Sequence, residues 1–311
     1  MPQRESKFFQ IFDKPNLKTS FGQNSSGGVF LFMKFKIFLL AFSVGFVFCF
    51  SAALFFIFGL SGNRNEEISE LSENQVFLEE ENAVFLLIYE NENGFGPFTL
   101  INFDAKNGRI PVLTFSEKAA MDYGGVFLTA GALFSSVPPE VFAGTVETNL
   151  GIELSGYFIW NSESAEKIIS KAGTFDYILP KNIRYSEGAT YVNLVSGVQN
   201  MNGKKICDII EYPKFSEAER CDTASRIYAA FFNRRLRRFL PESNVYPVIF
   251  NYTETDLSAF DKERYSKLAE VLCSSGKSLS GHITNDTERS PETGLRYFSD
   301  STKARIKKYF G

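Results

Sequence analysis

The chain has 311 residues, 44% of them apolar, and a formal net charge of −3. That is enough apolar sequence for one large folded domain with accessory segments, and a charge so close to balance gives no case for a nucleic-acid binder, so no nucleic-acid partner is expected. The charge is unevenly spread: residues 1–36 hold six Lys/Arg against two acids, a balance of +4, which leaves −7 on residues 37–311.

In chain order, residues 1–36 include the polar run NSSGG and read as a disordered cytoplasmic leader. Ile37 to Leu60 is then an uncharged apolar run of 24 residues, IFLLAFSVGFVFCFSAALFFIFGL. As a helix it spans about 36 Å, enough to cross a hydrocarbon layer of roughly 30 Å. Lys34 and Lys36 precede it, and Arg64, Glu66, Glu67, Glu70 and Glu73 follow. Lysine and arginine stay on the cytoplasmic side, so the expectation is a single-pass cell-membrane protein with its N-terminus inside and its C-terminal domain extracytoplasmic. A cleaved signal peptide is the rival reading, but its apolar core is shorter and its leader does not run for 36 residues. Residues 61–82 are polar and acidic and read as a stalk.

From residue 83 the pattern is that of a folded domain, 83–311. AVFLLIY (83–89) predicts a strand buried on both faces. FTLINF (98–103) and IPVLTF (110–115) predict a hairpin turning at Asn107-Gly108. Residues 138–151 read as a helix with proline at its start and Gly151 just past its end. SGYFIW (155–160) is a strand, and 162–173 a helix capped by Ser162 and closed by Gly173. FDYIL and TYVNL are short strands. Hairpins mixed with strand–helix alternation predict an α/β (α+β) fold: a mixed β-sheet with helices packed on its faces.

Asn202 is placed to cap a short helix from Gly203, Pro213 breaks the chain, and Ser216 with Glu219 forms an S-x-x-E capping box for a helix running to about Phe239. Ala224, Tyr228, Phe232, Leu236 and Phe239 form its apolar stripe. Arg220 lies four residues before Ala224 on the same face, semi-buried at the positive end of the helix dipole; it either binds an anion or pairs with Glu217 or another carboxylate. The four arginines of NRRLRRF (233–239) read as a solvated helix end.

Much chemistry is excluded. The one histidine, His282, removes Ser–His–Asp and Cys–His arrangements and any multi-histidine metal site. Gly94-Phe95-Gly96 is only GxG ahead of a strand, not a nucleotide loop. Of four cysteines, Cys49 lies in the apolar run; Cys207, Cys221 and Cys273 read as small buried hydrophobes, with a Cys207–Cys221 bridge as the alternative.

A single N-terminal anchor precedes FTLINFDAKNGRIPVLTF, then VETNLGIELSGYFIWNSESAEKIISKAGTFDYILP, then YVNLVSGVQNMNGKKICDIIEYPKFSEAERCDTASRIYAAFF, closing on GLRYFSDSTKARIKKYF. In order and spacing this resembles the LytR–CpsA–Psr family of bacterial envelope proteins over about residues 83–310. The resemblance implies transfer of glycopolymers from a polyprenyl-pyrophosphate carrier to the cell wall, with arginines on the pyrophosphate, acids on a divalent metal and an apolar tunnel for the lipid. Position by position, most of that charge is missing. The family's Arg-Ser-Asp matches Gly94, Phe95 and Gly96; its Pro-Arg-Asp matches Phe115, Ser116 and Glu117; its Arg-x-Arg matches Glu211, Tyr212 and Pro213; its next Arg-Gln pair matches Thr223 and Ala224. Glu117 keeps the acid of Pro-Arg-Asp without its arginine, and Asp-x-x-Arg survives in kind as Glu217 and Arg220.

Each hydrogen bond from a charged group is worth about 1.5–3 kcal/mol, so losing several donors and a metal acid removes many powers of ten in rate. The reading is therefore a membrane-anchored envelope protein, non-catalytic or repurposed, that binds a polyprenyl-phosphate lipid, a glycan or a wall partner, with no cofactor assigned. One alternative is an active transferase with a rearranged site using Glu217, Arg220, Arg184 or Arg226, for which Mg2+ is the implied cofactor; the other is an unrelated anchored structural protein.

Overall fold

The computed structural model describes residues 81–91, 94–187, 190–239, 245–274 and 279–311. The leader, the apolar run 37–60 and all but the last two residues of the stalk lie outside them. Among the described residues no helix is long and apolar enough to cross a membrane.

The domain opens with three long strands, β1 (Asn82–Asn91), β2 (Gly94–Asp104) and β3 (Ile110–Phe115). They pair antiparallel in sequence order. The β2–β3 turn is held where the Asn-Gly pair predicted, with the Asn107 backbone N–H and side-chain amide both donating to the Asp104 carboxylate. β2 starts four residues earlier than FTLINF suggested, because Phe95 and Gly94 still pair with Glu90 and Asn91 across a bulge. A small hairpin follows, β4 (Ala120–Tyr123) and β5 (Val126–Thr129), then helices α1 (Ala130–Phe134) and α2 (Pro139–Leu150). α2 begins on proline and ends at a left-handed Gly151, as its sequence dictates.

β6 (Gly156–Trp160) returns to pair parallel with β1. Helix α3 (Ser162–Ala172) is capped not by Ser162 but by Asn161: the extended backbone there brings the Asn161 side-chain Oδ1 within 3.0 Å of the Ser164 nitrogen, whose N–H it accepts, leaving Ser162 as the first helical residue. β7 (Phe175–Leu179), β8 (Ile183–Glu187), β9 (Thr190–Leu194) and β10 (Gly197–Met201) fold back on themselves, β8 with β9 and β7 with β10. They form a ribbon that buries Phe175, Tyr177, Leu179, Ile183 and Val192.

Helix α4 (Gly203–Ile210) is capped by Asn202, and α5 (Glu217–Phe239) by the predicted box, with Ser216 and Glu219 bonding reciprocally. After α5 come α6 (Val245–Tyr252), the short β11 (Glu254–Thr255), α7 (Ala259–Ser274), β12 (Ser280–Ile283), the hairpin β13 (Thr287–Arg289) and β14 (Arg296–Phe298), and α8 (Asp300–Phe310).

The central sheet has six strands in the order β11-β6-β1-β2-β3-β12, with parallel pairs at β6–β1 and β3–β12. It is the mixed sheet that the element order predicted. One face carries Val84, Leu86, Ile88, Phe98, Leu100 and Phe115 against α1, α2 and α8. The other carries Phe85, Leu87, Tyr89, Ile101 and Val112 toward α3, α4, α5 and α7. AVFLLIY is apolar throughout because both of its faces are covered. Cys207 and Cys221 are buried and free, which rules out the bridge between them in this structure.

Candidate functional site

On the second face the helices stand off the sheet and leave a cavity of about 200 Å³. Its floor is Phe85, Leu87, Ile101, Phe103, Phe158 and Trp160. Its walls come from α3, α4, α5, α6 and α7, with Thr253 and Lys262 the polar residues among them apart from the ring termini of the two tyrosines. The hollow has a simple origin. The floor positions follow the two-residue period of β1, β2 and β6, so they share one side of the sheet. Several remain only partly buried despite being aromatic, because no helix side chain descends far enough to cover them.

Toward the C-terminal end of β1 the cavity stops at a polar seam. Leu87 pairs with Thr99, and Thr99 with Thr114, so the row across the sheet turns from apolar to hydroxyl. The two threonine hydroxyls lie 3.0 Å apart, and the Thr114 N–H donates to Ser225 Oγ of α5 at 2.9 Å. Tyr89, the next same-side residue on β1, is fully buried against Trp160 and donates its hydroxyl to the Glu211 carboxylate. Burial, with Cys207 and Glu211 close by, holds that phenol far above its ordinary range, so it is a fixed donor. Burial likewise pushes the Cys207 and Cys221 thiols up to about 12, and neither is a nucleophile at neutral pH.

Beyond the seam, where β3 ends and α5 begins, charged groups gather. Arg220 Nη1 lies 3.4 Å from Glu117 Oε1. Glu217 takes Lys118 on one oxygen at 2.7 Å and Arg296 on the other at 3.0 Å. The sequence pointed to Arg220 and Glu217, and the structure brings them to one cluster with the retained acid Glu117. Arg220 pairs with a carboxylate, one of its two expected readings, although the partner is Glu117 rather than Glu217. Lys118 and Arg296 were missed. Lys118 adjoins the retained acid and was within reach of the sequence reading; Arg296 arrives from β14, whose bridge beside Ala119 no local signal announces.

Arg226 and Arg184 are engaged elsewhere. Arg226 pairs with Asp222 one turn back on α5 at 2.7 Å, and Arg184 donates to Asn193 across the β8–β9 ribbon. His282 on β12 faces Asp222 at 3.8 Å, and burial followed by the Arg226 charge lowers its pKa.

Two guanidiniums and one ammonium therefore meet two carboxylates, an excess of a single positive charge. Each cation of the cluster is thus paired with a carboxylate of the chain. The residues present do not suit a magnesium ion. Glu117 and Glu217 are each tied to cations, Gly96 stands where the resembled family places its metal-binding acid, and among the described residues no group of three or more His, Cys, Asp or Glu could hold a metal.

No family model matches the sequence, and no curated protein matches it. Solved structures do. A candidate transcription regulator from Eubacterium siraeum superposes with a TM-score of 0.63 at 16% identity, covering 73% of this chain and 90% of that one. B. subtilis TagV gives 0.59 at 15% identity, covering 74% and 96%. TagT bound to LIIa-WTA gives 0.58 at 14% identity, covering 75% and 91%. TagV and TagT are LytR–CpsA–Psr proteins, and the chain shares their fold.

Proposed function

We propose that the chain is a single-pass membrane protein whose extracytoplasmic domain, residues 83–311, holds the hydrocarbon of a polyprenyl-phosphate lipid or lipid-linked wall glycopolymer and does not transfer it. In this reading residues 1–36 are the cytoplasmic leader, 37–60 the anchor and 61–82 the stalk. The observation that carries it is the apolar cavity lying beside a charged end whose carboxylates already occupy the cations. An apolar hollow of about 150 Å³ accepts a benzene-sized guest, so this one takes a segment of a hydrocarbon chain. TagT, a structural neighbour, is solved with LIIa-WTA bound.

The residues divide the task by position. Phe85, Leu87, Ile101, Phe158 and Trp160 remove hydrocarbon from water, each buried methylene contributing about 0.8 kcal/mol. Tyr89, fixed by Glu211, closes the seam. Lys118, Arg220 and Arg296 offer a headgroup weak attraction, because Glu117 and Glu217 compete for them. Cleaving a phosphoanhydride needs donors aimed at the developing charge, and here they are neutralised within the chain.

The test is mass spectrometry of the full chain extracted from its own membranes, with Leu87→Trp as the filled-cavity control. The expected result is a polyprenyl-phosphate species retained by the native chain and lost in L87W. Release of polyprenyl phosphate from a glycan-linked polyprenyl pyrophosphate by the purified chain, abolished in Arg220→Ala, would instead establish the transferase.

A further inference from the structure

The cavity has a second end. Away from the seam its lining passes to Phe250 of α6, Leu257, and Lys262 and Tyr265 of α7. Phe85 at the start of β1 makes an edge contact with Tyr265, ring centroids 4.9 Å apart. At this end the charged and aromatic groups are arranged differently. The Lys262 ammonium lies 4.2 Å over the Phe250 ring, and Lys167 lies 5.6 Å over Tyr252. Tyr252 is 39% exposed, and Phe260, in the first turn of α7, is 75% exposed. Aromatic rings at the surface with lysines extended over them are what a water–hydrocarbon boundary selects, since each side chain then has an apolar and a wet part.

The chain itself reaches the domain here. Glu81, the last residue before β1, pairs through its carboxylate with Arg264 of α7 at 2.6 Å, and its carbonyl accepts from the Ala105 N–H. Glu81 therefore ties the start of the domain to the helix that carries Phe260 and Lys262. Twenty residues separate Leu60 from Glu81, a tether that reaches at most roughly 70 Å and allows the domain to sit on the membrane surface.

We propose that the α6–α7 end of the domain rests on the lipid bilayer, with Phe260 and Tyr252 in the interfacial layer, so that the cavity fills directly from the membrane. This rests on the lipid-binding reading above and adds to it a surface and a route. The occupant is a bilayer rather than a protein. The exposed groups are isolated rings beside residues that line the cavity: Tyr252 adjoins Thr253, and Phe260, on the helix that pairs with Glu81, lies two residues before Lys262. The attachment is apolar rather than electrostatic, because α7 carries Lys262, Arg264 and Lys267 against Asp261, Glu263 and Glu270.

A benzophenone amino acid placed at position 260 of the full chain tests this, with position 191 as the control. Tyr191 is 72% exposed but lies on the β8–β9 ribbon. In vesicles of phosphatidylethanolamine and phosphatidylglycerol, irradiation is expected to crosslink position 260 to lipid several-fold more than position 191. Equal yields, or no crosslink at 260, overturn the inference. Lipid retained by the extracted chain is read separately. If lipid is retained but position 260 stays silent, the docking surface is refuted and the lipid-binding function stands. If position 260 crosslinks but no lipid is retained, the surface stands and the cavity's function falls.

Discussion

The two faces of the central sheet are built from the same residues and end differently. Phe98, Phe115 and Phe142 on one side are fully buried, with the Phe98 ring in contact with the other two. On the other side Phe85 is buried, but Phe103, Phe158, Phe232 and Phe250 keep part of their surface uncovered around the cavity. The strands do not make this difference, because β1 is apolar on both of its sides. The helices do: α1, α2 and α8 press Leu133, Phe142, Ile306 and Phe310 onto the sheet, while α3, α5 and α7 arch over it. A hollow core is thus a property of what covers a sheet, not of the sheet's own sequence.

The largest effect is expected on the solid side. Phe142→Ala should cost about 3–5 kcal/mol, read as a fall in the urea midpoint, because nothing nearby can relax into the space. Next comes the standoff itself. A methyl group at Gly203 would lie 2.3 Å from the Glu166 backbone nitrogen, so Gly203→Ala must push α4 away from α3 and should cost roughly 1–3 kcal/mol. On the hollow side Phe158→Ala should cost only about 1–2 kcal/mol, since part of that ring is already uncovered, and should enlarge rather than abolish lipid retention. If F158A proves as damaging as F142A, the two faces are not distinct in the way described. Tyr89→Phe, which deprives the exposed Glu211 of its donor, should lower stability by roughly 0.5–1.5 kcal/mol.

The smallest effect concerns pH. The Lys181 pair, with the capping bonds to Ser216, holds the Glu219 carboxyl at about 2, below its ordinary 4.5. Its folded pKa is depressed, so its contribution is complete above pH 4.5 and is lost as pH falls toward 2. Glu219→Gln should flatten that limb of the acid-unfolding curve slightly, because the pair is exposed and screened.

What could be read in the sequence was whatever a few neighbouring residues decide. The Asn107-Gly108 turn, the proline start and glycine stop of α2, the Asn202 cap and the Ser216–Glu219 box all stand where expected, since each is settled within about one turn of chain. The cap of α3 shifted by one residue for the same local reason, two polar residues competing for one role. The charged cluster was half legible. Arg220 and Glu217 followed from helix phase and the retained Asp-x-x-Arg pattern, but their partners depend on contacts across 103 and 99 residues. Tyr89 and Glu211 meet across 122. Arg184 and Arg226 illustrate the reverse. Each found a polar neighbour close in sequence and is held there, which a count of arginines could not reveal.

Gly96 carries a consequence for redesign. Its backbone stands at φ +106°, and a side-chain carbon there would lie 2.8 Å from Glu117 Cβ. The resembled family has an aspartate at the matching place. An aspartate placed there would take a backbone conformation that L side chains rarely adopt, against the Glu117 side chain. Glu117 would have to shift to admit it. Rebuilding a carboxylate at this position therefore takes at least two coordinated changes, and the obstacle is backbone geometry rather than charge.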